Sequence, residues 1–259
     1  AFKSHVVLDG FYFRDFRSKP YNSASEGGAI CVISGSDNTV RRCFYDGRAK
    51  TYMPYFILAS DTARFVMENC VVVMGWNNAS FWRCPDLTLR NNVFYNGQIR
   101  ALCLYNLENQ PVTLSHNLIC DNIPQKFGNA LVMVGHMGGY TSDNNCYFSR
   151  GDAKTRKVVH FVRDKSGEVA RKETLLADVQ QLTGQDKRSF FANPGIRMVK
   201  ELARKYEDPK AYEKLELRRE GGKDLPIDFA DFFADPKGPC GQASDGKPIG
   251  LDPAAFAKP

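Results

Sequence analysis

Few residues in this 259-residue chain have types and spacing suited to chemistry. Phe81, Trp82 and Arg83 stand together, and Arg83 is the one charge in a set of otherwise apolar runs. Aromatic faces beside a guanidinium form a platform for a sugar ring, and Tyr105 in the following run joins Phe81 and Trp82 as a substrate-binding candidate. The catalytic candidates are Arg83, His136 and Asp61: two groups able to take a proton or clamp negative charge, and one carboxylate beside them. Each has a plainer reading. The aromatic cluster can pack beneath another segment, and His136 can be an ordinary turn histidine before Met137-Gly138-Gly139. Asp61, like Asp37, Asp86 and Glu108, follows an apolar run where turn-forming residues are common. His116, His160 and Arg163 are open to the same two readings.

No GxSxG elbow, HExxH pair or nucleotide-binding glycine pattern occurs. Eight cysteines stand at 31, 43, 70, 84, 103, 120, 146 and 240, with no CxxC pair and no zinc-finger spacing to a histidine. No metal site is therefore expected, with a calcium or substrate rim along Asp37, Asp61, Asp86 and Glu108 the alternative. Seven of the cysteines lie in apolar runs, which suits buried thiols and also leaves disulfides open. The net charge of +6 is spread from Lys3 to Lys258 among acids, the pattern of a solvated surface and not of a nucleic-acid groove. Uncharged apolar stretches such as Cys70 to Trp76 fall far short of the roughly 20 residues that a membrane helix needs, so no span is expected. The chain opens on Ala1-Phe2-Lys3, so any secretory leader is expected to have been removed or to lie outside this sequence.

The elements that must position these groups are legible as a repeat. Six segments share apolar residues around a small or amide position, with Phe11, Cys43, Cys70, Asn92, Asn117 and Asn145 in the same place. Their spacings are 32, 27, 22, 25 and 28 residues, which suits a solenoid with turns of varying length. Between the copies lie further strand-like runs: Ala29 to Ile33, Tyr55 to Ala59, Ser80 to Cys84, Ala101 to Tyr105 and Ala130 to Val134. Each repeat offers about three strands and no helix of useful length, so parallel pairing must come from stacking whole coils. This predicts a mainly β protein, a parallel β-helix of about six coils over residues 1–150. Asn92, Asn117 and Asn145 predict a stacked amide ladder at one turn, continued by Cys43 and Cys70.

With these residues the chain resembles the right-handed parallel β-helix of the pectate-lyase-like superfamily, from about residue 5 to residue 150. The resemblance implies that the ladder sits between the second and third sheets, and that the intervening runs form the first sheet. It implies polysaccharide across that first sheet, in a secreted, periplasmic or cell-surface protein. Lyases of that kind use a Lys or Arg base with acidic groups or calcium, and hydrolases use paired carboxylates. The stretch from Leu175 to Pro194 and the terminal stretch from Asp228 to Gly250 also resemble segments that follow the last coil in bacterial β-helix proteins.

Residues 151–259 are expected to form a tail with short α-helices packed on the solenoid. Thr174 is a plausible N-cap and Gly184 a stop for one helix. Residues 196–206 and 209–220 read as two more, and residues 223–259 as an extended strap. Strands apolar on both faces are expected to be covered on both, and the first coil has no preceding helix to cap it. Additional polypeptide on that coil is therefore an expected partner. Two functions follow: a polysaccharide-binding or polysaccharide-cleaving protein, or a non-catalytic scaffold or subunit that uses the β-helix for protein contact.

Overall fold

The computed structural model describes residues 4–14, 28–47, 55–75, 77–97, 100–106, 108–120, 130–149, 156–197 and 226–257. Beyond Arg197, the two helices read over 196–206 and 209–220 lie outside the described residues.

Three sheets build the solenoid, each taking one strand per coil. The first contains Gly28–Ile33, Tyr55–Ser60, Asn77–Trp82, Arg100–Tyr105, Val132–His136 and Val159–Arg163, all parallel, and ends on the antiparallel strand Val169–Thr174. The second contains Val7–Asp9, Thr39–Arg41, Val66–Glu68, Leu87–Arg90, Val112–Ser115 and Tyr140–Asp143. The third runs from Tyr12–Arg14 through Phe44–Asp46, Val71–Val73, Val93–Tyr95, Leu118–Cys120 and Cys146–Phe148 to Phe190–Phe191. The first and third sheets thus continue past residue 150 into a partial seventh coil.

Period-two alternation explains why these short strands hold. Ile57 and Ala59, Ala79 and Phe81, Leu102 and Leu104, Val132 and Val134, and Val159 and Phe161 face inward and are buried. Met67, Leu89 and Leu114 meet them from the second sheet, and Tyr45, Val72, Phe94, Ile119 and Tyr147 from the third. Each buried Val, Leu, Ile, Met or Phe among them contributes about 1.5–3 kcal/mol of transfer free energy, and together they form one continuous core along the stack of coils.

The ladder closes the turn between the second and third sheets. Asn92 Nδ2 donates to Asn117 Oδ1 at 3.1 Å, and Asn117 Nδ2 to Asn145 Oδ1 at 3.1 Å. Each amide oxygen also takes a backbone N–H of the coil before it: Cys70 N to Asn92, Asn92 N to Asn117 and Asn117 N to Asn145. Cys43 and Cys70 occupy the same slot, each thiol donating to the carbonyl two residues back. Ser189 continues the series by accepting from Asn145 N. The residue just before each slot, Arg42, Asn69, Asn91, His116 or Asn144, has a left-handed backbone, which is what turns the chain so sharply.

Several expectations need correction. The third first-sheet strand is Asn77–Trp82, not Ser80 to Cys84: it begins three residues earlier and ends before Arg83. The buried Asn78 amide accepts from Gly75 N and donates to the carbonyls of Val72 and Tyr95, which fixes the strand start. The described tail covers the third sheet, not the first. Phe232, Cys240, Ile249 and Leu251 pack on Phe44, Val93, Tyr95, Leu118 and Cys146. From residue 244 to 255 the tail then runs down the ladder edge, touching the left-handed turn residues in order. Ser244 bonds Asn144, Gly250 N bonds the His116 carbonyl, and Asn91 donates to the carbonyls of Pro248 and Gly250. Asp252 N donates to Asn69 and Arg42 donates to the Ala255 carbonyl.

The helix Leu176–Thr183 ends on Gly184 at φ 72°. Its N-cap is Leu175, and Thr174 instead donates its hydroxyl to the Val159 carbonyl, closing the antiparallel strand pair.

Candidate functional site

The outward face of the first sheet carries two aligned columns. Register places Cys31, Leu58, Ser80, Cys103, Met133 and His160 in one. Ile33, Ser60, Trp82 and Tyr105 form the other, nearer the turn into the second sheet. Because Trp82 and Tyr105 pair directly across adjacent strands, their rings meet with centroids 4.5 Å apart and an interplanar angle of 42°. Trp82 Nε1 donates to Ser80 Oγ at 2.8 Å, which holds the indole against the sheet with part of its surface exposed.

Phe81 does not belong to this platform. Alternation turns it inward, where it is fully buried with its ring 5.5 Å from that of Phe65. The surface aromatic pair is Trp82 with Tyr105.

Arg83 and Asp61 come together beside it. Each is the first residue after its strand, and each has a left-handed backbone, φ 51° and 53°. Arg83 lies in the turn and not in the strand, and its side chain reaches back one coil to grip Asp61 in both directions. The Nε–Oδ1 distance is 2.6 Å and the Nη2–Oδ2 distance 2.8 Å. The Arg83 hydrogen bond, helped by the Ser60 hydroxyl, holds the Asp61 carboxyl down at about 2, and Asp61 in turn raises Arg83. The Arg83 side chain remains 63% exposed, one residue past Trp82 in the chain. An arginine held this way is a poor base, and its partner carboxylate is already occupied. The pair offers fixed positive and hydrogen-bonding surface and not a poised proton acceptor.

The same device recurs along the solenoid, with the acid in one coil and the arginine in the next. Arg64 grips Asp37 at 2.5 and 2.7 Å, Arg41 and Arg42 meet Asp9, Arg90 meets Glu68, and Arg188 meets Asp143. Asp37 and Asp61 are thus engaged by arginines. Among the described residues no three His, Cys, Asp or Glu side chains converge as a metal site requires.

His136 stands apart from these groups. It ends Val132–His136, one strand past the Tyr105 strand, is buried, and accepts the Gly138 N–H on Nδ1 at 3.0 Å. His116 lies at the opposite turn against Asp245.

A second ladder, filled by three different residue types, escapes the sequence reading. Thr62, Cys84 and Asn106 recur every 22 residues at the turn after the first sheet. Asn106 accepts Cys84 N on Oδ1 at 2.7 Å and donates to the Cys84 carbonyl, while Thr62 and Cys84 donate to carbonyls two residues back. This ladder sets the height of the turn from which Asp61 and Arg83 project.

The chain matches the family model described as a right-handed beta helix region over residues 4–147. It belongs to the right-handed β-helix family. The matched span takes in the strands from Val7–Asp9 to Tyr140–Asp143, the stacked Asn92, Asn117 and Asn145 and the Trp82–Tyr105 pair, so the coils wind right-handed around the core described above. Comparison with curated proteins and with solved structures returned no match. No helix among the described residues is long and apolar enough to cross a membrane.

Proposed function

We propose that this β-helix protein binds an extended polysaccharide along the outward face of its first sheet, outside the cell, as a binding protein and not a lyase or hydrolase. The observation that carries this reading is the Trp82–Tyr105 pair: two aromatic rings in register on adjacent coils, one anchored by Ser80 and followed in the chain by the exposed Arg83. Coils repeat about 4.8 Å apart, close to the length of one sugar ring, so successive outward side chains suit a linear polymer. Stacking on a ring face needs no titrating group.

The case against cleavage rests on the same geometry. Arg83, the basic candidate, is committed to Asp61, and His136 is buried on another strand. Electrophoresis of the full chain through gels containing different neutral and uronic-acid polymers tests the reading. Retardation by at least one polymer, relieved in Trp82→Ala, supports it. Release of unsaturated ends or new reducing ends by the pure protein would replace binding with catalysis.

One observation favours protein contact as a second role. Of the large apolar residues left exposed, Val7, Phe11, Tyr12 and Ile33 all belong to the first coil, whose strands form the edge of each sheet. Such an edge suits further polypeptide adding to the solenoid. Analytical ultracentrifugation of the wild type and of Phe11→Lys separates association through that coil from a monomeric binding protein.

A further inference from the structure

Neither outward column of the first sheet contains a Lys, Arg, Asp or Glu. Charge enters at the turns that follow Gly28–Ile33, Tyr55–Ser60, Asn77–Trp82 and Arg100–Tyr105, as Asp37, Asp61, Arg64, Arg83, Asp86 and Glu108. Both arginines are held by an aspartate one coil back. Arg83 meets Asp61 at 2.6 and 2.8 Å, and Arg64 meets Asp37 at 2.5 and 2.7 Å. Histidine aside, this edge sets four carboxylates against two guanidiniums, a net charge of −2. Other cations stand off from the aromatic pair. Arg100 begins the Tyr105 strand, five residues before the ring and roughly 17 Å along the chain. Arg163 lies two strands beyond and donates to the Gly167 carbonyl at 2.6 Å.

Resting on the binding role proposed for Trp82 and Tyr105, we infer the substrate class: the ligand is a neutral polysaccharide, and the Asp61–Arg83 pair selects it by bonding hydroxyls and rejecting carboxylates. Asp61 and Arg83 directly follow Ser60 and Trp82, which are partners on adjacent strands, so the ion pair borders the aromatic column. Arg83 engages Asp61 through Nε and Nη2, and Nη1 keeps its two N–H donors for a ligand. On the carboxylate, Oδ2 also takes the Ser60 hydroxyl, and Oδ1 retains a lone pair.

A sugar hydroxyl both donates and accepts, so it can bond either partner of the ion pair. A carboxylate only accepts. It would gain Nη1 but lie beside Asp61, which Arg83 keeps ionised by holding its carboxyl down at about 2. The guanidinium charge that would repay a uronate is already neutralised within the pair, and Asp86 and Glu108 add repulsion further along the edge. A polymer charged at every ring meets that repulsion repeatedly, whereas ring stacking on Trp82 and Tyr105 needs no charge on the sugar.

The test is electrophoresis of the full chain through gels containing neutral glucans, mannans or galactans, and through gels containing polygalacturonate, alginate or carboxymethylated glucan. Because the chain carries a net charge of +6, any polyanion slows it without a site, so the quantity read is the retardation that Trp82→Ala removes. At least one neutral polymer should show it, equally at low and high salt, and the acidic polymers should not. Asp61→Asn leaves the Arg83 charge unmatched. It should weaken retardation by the neutral polymer and create Trp82-dependent, salt-sensitive retardation by an acidic one, a change of preference that a merely structural pair would not produce. Trp82-dependent retardation of the wild type by acidic polymers, equal to or greater than that by neutral ones, would overturn the neutral class and keep the platform. No Trp82-dependent retardation by any polymer would overturn the platform and this inference with it. The wild-type comparison decides the class even if Asp61→Asn fails to fold.

Discussion

Nε2 of His116 sits 3.1 and 3.0 Å from the two carboxylate oxygens of Asp245, a contact across 129 residues that joins the fifth coil to the tail. It is one rung in a series. The tail descends from Asn144 past His116, Asn91 and Asn69 to Arg42, meeting the left-handed residue of each turn. Those residues are needed to bend the chain at the ladder, and the same bend points their side chains or carbonyls outward at the spacing of the coils. The tail is a strap whose binding sites are the repeat itself.

Loosening one rung should loosen the strap locally. Burial pushes the Asp245 carboxyl up, but the His116 hydrogen bond and the Lys247 amide outweigh it and hold the carboxyl below its usual range. Its contribution is therefore present above about pH 4 and is lost as pH falls below that. Asp245→Asn should cost about 1 kcal/mol at neutral pH. Hydrogen exchange should quicken over residues 244–255 and not in the first-sheet strands. An unchanged exchange pattern would show that the strap does not depend on this contact.

The ladder predicts a larger loss. Asn117 donates to the Leu89 carbonyl and to Asn145 and accepts from Asn92 N and Nδ2, all in a fully buried turn. Asn117→Ala leaves several of these groups without a partner, and should cost about 3 kcal/mol or more. Denaturant unfolding with an unchanged m-value is the check.

Asp186 closes the far end of the core and should be equally sensitive. Its buried carboxylate accepts hydroxyls from Tyr140, Ser142, Ser189 and Tyr147 at 2.6–3.3 Å. Burial raises both tyrosines well above the usual phenol range, so they remain donors. Asp186→Ala strands these hydroxyls and should destabilise the chain by about 3 kcal/mol or more, seen as a lower denaturation midpoint.

The Asp61–Arg83 pair should behave in the opposite way. The Asp61 carboxyl is depressed by Arg83 to about 2, so whatever the pair contributes holds above about pH 4 and fades as pH falls from there through about 2. Both side chains are largely in water, where screening leaves little net stabilisation. Asp61→Asn should lower the melting temperature slightly at pH 6 in low salt and by less at pH 2. A large loss at pH 6 would mean that the pair is structural.

How much of this was legible in the sequence depends on whether a residue acts through its coil or across coils. Asn92, Asn117 and Asn145 could be read because they recur at the coil period and do one local job. Trp82 and Tyr105 could be found as types, but only their register makes them a pair. Phe81 and Trp82 cannot share one platform because neighbouring residues of a strand face opposite sides, and Phe81 takes the inward one. The Asp61–Arg83 bond was hidden because Arg83 sits past the strand end in a backbone conformation that its residue type does not announce. Thr62, Cys84 and Asn106 were missed although their spacing was available, because three different residue types fill one slot. The tail's partner sheet could not be read, because Phe232 and Leu251 are apolar enough to cover either face.

The most direct test of the binding account is a tryptophan-fluorescence titration of the full chain with oligosaccharides from any polymer that retards it in a gel. With Trp82 the indole on the proposed platform, saturable quenching or a blue shift is expected. Tyr105→Ala should weaken it at least tenfold, and Trp82→Ala should abolish it. An equal signal in Trp82→Ala, with affinity undiminished, would contradict the account.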